Sequence, residues 1–180
     1  MSKIIGIVGR RRAGKDLVAS HLLQKGYENK KFVGPMKNAL KALFDLSHEQ
    51  VEGDLKEVVD ERWRVTPRQL MQFFGTEMMQ YKLPELMPWL GRNFAVHRMF
   101  LDDESAQSNF CVSDVRFQHE VDAIHQHGGI TIHLHRETPL TDVDQHQSEA
   151  GIDTLQCTHD IDNNGTIEQL FAAIEKIINV

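Results

Sequence analysis

The stretch "IIGIVGRRRAGKDL", Ile4–Leu17, decides how the chain must fold. Ile4–Val8 reads as a short buried strand. Lys15 to about Lys25 reads as a helix with Val18 and Leu22 on one face. Between them Gly9 and Gly14 permit backbone conformations that a side chain would block. The spacing is G-x-x-x-x-G-K. A glycine-rich turn from strand to helix offers backbone N–H groups and the positive helix end to an anion. Lys15 extends that grip to the β- and γ-phosphates of a nucleotide. Gly9, Arg11, Arg12, Ala13, Gly14, Lys15, Asp16 and Leu17 are therefore expected to bind the phosphates of ATP. Arg10–Arg12 either raise the local positive potential or form a solvated basic turn.

Asp16 stands where such loops carry a serine or threonine. A carboxylate beside a triphosphate is repelled unless a cation lies between them. Magnesium takes carboxylates together with water and phosphate oxygens. Asp16 thus reads as a magnesium residue, directly or through water, with a plain helix-start acid as the alternative.

Working outward, "KKFVGP" is expected as a second strand ending at Gly34–Pro35, and "MKNALKALFDL" as a helix. Ser47 caps a short helix through Val51. Thr66–Pro67 is a helix start, a capping hydroxyl followed by proline. "RQLMQFFGTEMMQ" continues it, with Arg68 and Gln72 sharing a face and Gly75–Thr76 reading as a break. Further helices are expected over about Arg92–Glu104 and Gln118–His127. "NFCVSDVRF", "ITIHLHRE" and "CTHDID" read as strands. Thr166 and Gln169 form a capping box for the last helix. Its apolar stripe is Ile167, Leu170, Phe171, Ile174, Ile177 and Ile178. The alternation gives an α/β fold with ligands at the carboxyl ends of the strands.

The charge balance is −6, from 20 basic and 26 acidic residues, which argues against a dedicated nucleic-acid binder. No apolar run reaches membrane-spanning length, so no membrane partner is expected. The two cysteines, Cys111 and Cys157, form no C-x-x-C, and no leader segment is expected ahead of the first strand. A reducing cytoplasm is the expected setting. His133 and His135 share one face of a strand, read as a half-exposed sheet face rather than a transition-metal site.

Five blocks in order resemble the deoxynucleoside monophosphate kinase family, best known from bacteriophages. They are the G-K-D loop, "FVGPMKNALKALF" with "GDLKE", "TPRQLMQFFGTE", "SDVRFQHE", and "GGITIHLHR" followed by "HQSE", His146–Glu149. The resemblance implies a P-loop NTPase fold, three-layer α/β/α with a mainly parallel five-stranded sheet. It implies one domain over residues 1–180, with a helical acceptor-binding region at about 35–104 and a lid at about 136–155, opened by Arg136. The implied activity is ATP-dependent phosphorylation, with Mg2+, of deoxynucleoside 5′-monophosphates to diphosphates for dNTP synthesis, with small-molecule nucleotides as the partners. A homodimer is also implied, and host cytoplasm if the protein is phage-encoded.

Acceptor binding falls by resemblance to Lys37, Arg68, Gln72, Gly75, Thr76, Trp89, Arg116 and Glu120. Lys15, Asp16, Arg68, Asp114 and Arg116 form the expected catalytic set. Asp16 and Asp114 are the expected metal residues. An acceptor monophosphate needs cations opposite ATP, which Arg68 and Arg116 supply. A structural ion pair is the alternative for Asp114 and Arg116. The chain departs from the family at Leu17, where threonine is common. The alternative function is a P-loop kinase with another acceptor, such as dephospho-coenzyme A. A nucleotide-dependent switch is less favoured, because Asn29–Lys30 is not followed by the aspartate of N-K-x-D.

Overall fold

Ile4–Gly9 forms β1, and all six residues are buried, as a central strand of a sheet covered on both faces requires. The structure is a computed structural model that describes residues 3–101, 108–137 and 151–179. The other strands are β2 (Glu28–Lys30), β3 (Phe110–Val115), β4 (Ile130–His135) and β5 (His159–Asp162). They lie in the order β2-β3-β1-β4-β5, and every pairing is parallel. The sheet belongs to a unit made of Met1–Lys31 and Met99–Val180, while Phe32–Arg98 forms a second compact unit.

Ile5 and Ile7 share one apolar cluster with Val18 and Leu22 of α1 (Lys15–Gln24) and with Leu170 and Ile174 of the C-terminal helix Ile167–Ile178. On the opposite face, a Cβ added at Gly6 would lie 2.7 Å from Ile124 Cδ1. Ile124 belongs to the helix Gln118–Gln126, which therefore covers that side. Sheet and flanking helices make the expected three-layer α/β/α arrangement. The helix after β1 and the helix after β3 lie on opposite faces. That is a topological switch point, where the strand ends open a crevice.

The second unit contains α2 (Gly34–Phe44), α3 (His48–Val51), a 3₁₀ turn (Asp54–Glu57) and α4 (Pro67–Gln72). Ser47 and Thr66 each close a capping box, with Gln50 and Gln69. Asp60 is its polar hub. It accepts from Gln50, from the Arg62 backbone and from the Arg62 guanidinium, which holds its carboxyl far below the usual range. α5 (Leu83–Leu86) and α6 (Phe94–Phe100) follow, and α7 (Gln118–Gln126) and α8 (Ile167–Ile178) complete the helices. Among the described residues, no helix is long and apolar enough to cross a membrane.

Several local expectations change. The second strand is Glu28–Lys30, not "KKFVGP". Gly34–Pro35 instead opens α2, where proline's missing N–H costs nothing. Gly75–Thr76 does not break its helix: α4 passes into a π-helix, Phe73–Lys82. The helix expected over Arg92–Glu104 covers Phe94–Phe100, and residues 102–104 lie outside the described residues. Within the last helix's stripe, Ile167 is half exposed while Leu170 is buried. His133 is not on a half-exposed face, since its side chain is buried.

Candidate functional site

The phosphate loop follows β1 as its sequence requires. Gly9 has φ 153°, and a Cβ there would stand 2.9 Å from the Leu134 carbonyl oxygen. Gly14 has φ 100°, and a Cβ would stand 2.6 Å from Asn163 Nδ2. Neither place admits a side chain without strain. Ala13 is buried, its N–H donates to the Arg10 carbonyl, and its own carbonyl accepts from Asn163 Nδ2 at 2.8 Å. The loop is thus pinned from below by a buried amide beyond β5. Asn163 carried no sequence signal, because its partner lies 150 residues away.

Lys15 folds back over the loop. Its Nζ donates to the carbonyls of Gly9 at 2.6 Å and Arg10 at 2.7 Å. The ammonium is held at the loop's mouth. Arg11 and Arg12 are exposed, and Arg12 has a positive φ of 66°. Arg10 is committed to Asp153 by paired Nε and Nη2 contacts. Asp16 is exposed in the first turn of α1. Leu17 packs against the apolar cluster, so the position where the family carries threonine serves the core here.

Parallel pairing sets Val115 opposite Val8, one residue before Gly9. Asp114 and Arg116 flank Val115, so β3 delivers both to the edge of the phosphate loop. Glu120 is buried. Its Oε2 accepts the backbone N–H of Arg116 at 2.7 Å and of Phe117 at 3.1 Å. This carboxyl shapes the turn that carries Arg116. Burial pushes its pKa up to about 8; the backbone N–H bonds oppose that rise and the nearby Asp114 charge adds to it.

In the second unit, Arg68 lies in the first turn of α4, and its Nε donates to Glu57 at 2.7 Å. Lys37 pairs with Glu52 at 2.8 Å. Gln72 is half-buried and Thr76 buried. At Gly75 an added Cβ would meet only Met36 Cε, at 3.6 Å, an ordinary contact. The protein's own packing does not demand glycine there. Trp89 is exposed and meets the His97 ring edge-on. The glutamates that engage Arg68 and Lys37 were not singled out beforehand, although Glu57 closes the "GDLKE" block.

Beside the phosphate loop, Arg10, His135, Arg136, Asp153, Asp160 and Asn164 help line a pocket of about 640 Å³. Arg136 is exposed at its rim. His133 is kept below its usual pKa by burial and by His135, against the pull of Asp160 and Asp153. Of the expected lid, His146–Glu149 and the rest of 138–150 lie outside the described residues. Its far end forms a short 3₁₀ turn, Ile152–Thr154.

A profile of the family described as deoxynucleotide monophosphate kinase matches residues 45–174. A protein of Acanthamoeba polyphaga mimivirus named putative deoxynucleotide monophosphate kinase is 37% identical over 95% of this chain and 93% of its own length. The deoxynucleotide monophosphate kinase of Enterobacteria phage T4 is 32% identical over 68% of this chain. That match takes in 48% of the phage protein, so this chain spans about half of it. Among solved structures, TT1252 from Thermus thermophilus is similar with a TM-score of 0.49 at 19% identity, covering 99% of this chain and 97% of that one. The profile match and the mimivirus relative answer the question that the loop sequence raised: the chain belongs to the deoxynucleotide monophosphate kinase family.

Proposed function

We propose that the protein transfers the γ-phosphoryl group of ATP to a deoxynucleoside 5′-monophosphate, giving ADP and the deoxynucleoside diphosphate. The observation that carries this reading is the family match, which runs through the "TPRQLMQFFGTE" and "SDVRFQHE" blocks. The built phosphate loop supports the donor side. An acceptor phosphate oxygen attacks the γ-phosphorus in line. A new P–O bond forms as the bond to the bridging oxygen breaks, and that electron pair leaves with ADP. No general base is required, because the acceptor oxygen is already ionised near neutral pH.

In this proposal Gly9–Gly14 backbone N–H groups cradle the donor phosphates and Lys15 exchanges two carbonyls for phosphate oxygens. Arg116 at the loop's edge stabilises charge spread over the transferring group. Arg68 grips the acceptor phosphate through a guanidinium of which only Nε is engaged among the described residues. At Gly75 the protein's own packing leaves room for a Cβ, so an acceptor lying against that helix would account for the glycine. Thr76, Gln72, Lys37 and Trp89 complete the acceptor side by family resemblance. Glu120 acts through the backbone of Arg116 and Phe117.

Asp16 and Asp114 fit a magnesium ion: both are carboxylates, one in the first turn after the loop and one on the neighbouring strand end. Magnesium, when bound, neutralises phosphate charge.

ADP formation across the common ribo- and deoxynucleoside monophosphates tests the proposal. Turnover that depends on deoxynucleoside monophosphates is expected. No ADP with any of them, from folded protein that binds ATP, would remove it.

A further inference from the structure

The sheet brings together three metal-ligating side chains that the kinase reading leaves unused. His133 and His135 alternate by two on β4, so they emerge on one face. The parallel register sets Asp160 of β5 opposite His133. One carboxylate oxygen, Asp160 Oδ1, then lies 2.7 Å from His135 Nε2 and 3.6 Å from His133 Nδ1. Ligand atoms of all three residues fall within 4.8 Å of one another. The edges of a tetrahedral zinc site with imidazole and carboxylate ligands are about 3.3 Å long, from bonds of about 2.0–2.2 Å. The two observed separations straddle that value.

A second observation points to an ion. His133 is 2% exposed, and its Nε2 has no hydrogen-bond partner among the described residues. Its Nδ1 is too far from Asp160 for an ordinary hydrogen bond. A buried imidazole Nε2 without a partner among the described residues needs an explanation, and a cation held by this ring is one. The neighbours supply entry and charge. His135 and Asp160 are open to the pocket, at 44% and 67% side-chain exposure. That pocket is lined by four carboxylates, Glu137, Asp153, Asp160 and Asp162, against two guanidinium groups, Arg10 and Arg136.

We propose that His133, His135 and Asp160 form a site for a transition-metal dication of the zinc class, with a water completing the coordination from the pocket. Two imidazoles and one carboxylate suit zinc or cobalt rather than magnesium, which prefers oxygen alone. The ion ties β4 to β5 at their carboxyl ends, close to where Leu134 pairs with Gly9 of the phosphate loop. The site uses neither Asp16 nor Asp114 and does not depend on the kinase reading.

The test is titration of chelator-stripped protein with Co(II), read by its visible d–d bands, and with Zn(II), read by thermal denaturation. Stoichiometric tetrahedral Co(II) bands and a Zn(II)-dependent rise in Tm are expected. Both should fall at least about tenfold in apparent affinity in His135→Asn and Asp160→Asn. These positions are exposed enough to change without unfolding the chain, which circular dichroism verifies. His48→Asn, at an exposed position of α3, controls for adventitious surface binding and should retain the signal. Absence of Co(II) bands at excess metal, or binding unchanged by both site variants, would overturn the assignment.

Discussion

The loop Gly9–Leu17 and the helical block Thr66–Lys82, the two sides of the proposed site, are built by different means. The loop uses backbone. Its shape is fixed by two glycines at positive φ, by a buried strand behind it and by the Asn163–Ala13 hydrogen bond. The block uses side chains. Its Arg68 is parked on Glu57, as Lys37 of the neighbouring α2 is on Glu52, and its helix widens into a π-helix at Phe73. Backbone donors cost little reorganisation when phosphate arrives. Ion-paired arginines must exchange one anion for another. Substitutions in the loop should therefore act on turnover, and substitutions in the block on acceptor affinity.

The largest effect is expected at Lys15. Lys15→Ala should lower kcat about 10²–10³-fold in protein that circular dichroism shows to be folded. A normal kcat would place the phosphate charge under another group. Asp16→Asn should raise the Mg2+ concentration for half-maximal rate about 10–100-fold, with little loss of stability. Wild-type magnesium dependence would return Asp16 to a helix-start acid. Arg68→Ala should raise KM for the acceptor about 10–100-fold while leaving KM for ATP unchanged. An equal rise in both would erase the distinction between loop and block.

Glu120 sharpens the comparison through pH. Its folded pKa stands near 8 and its unfolded value near 4.5, so the folded chain holds the proton more tightly between those values. Stability should therefore fall as pH rises from about 4.5 to about 8. Glu120→Gln keeps an oxygen for the Arg116 and Phe117 N–H groups but cannot ionise. Tm measured across that window should slope less in the variant, and identical slopes would assign the pH dependence elsewhere. The smallest effect is at Gly75. Gly75→Ala should stabilise the fold by about 0.5–1 kcal/mol, because a Cβ meets only Met36. If an acceptor nucleotide lies there, the same variant should still weaken acceptor binding. Unchanged KM would leave Gly75 without a ligand role.

What the sequence disclosed divides along the same line. The loop was legible because strand, glycine turn and helix are local, and each letter has a local reason. Thr66 was legible too, since a capping hydroxyl followed by proline marks a helix start locally. The strand Glu28–Lys30 was not, because three polar residues at a sheet edge show no alternation. The π-helix left no composition signal, and Gly75 was misread as a break. His133 was misplaced because β4 is covered on both faces, so period-two alternation cannot reveal which histidine is buried. Asn163, Glu52 and Glu57 gain their roles only through partners that folding brings near. Arg116 and Asp114 were placed at a strand end by pattern. The expectation that a strand delivers Asp114 beside the phosphate loop agrees with the β1–β3 register, which pairs Val115 with Val8.

The most direct test of the central claim is the fate of the γ-phosphoryl group. Folded protein is incubated with ATP labelled at the γ-phosphate, Mg2+ and each deoxynucleoside monophosphate, and the products are separated. The label should appear in a deoxynucleoside diphosphate, and this transfer should collapse in Lys15→Ala and need far more acceptor in Arg68→Ala. Label recovered only as inorganic phosphate, or left in ATP with every acceptor, would contradict the account.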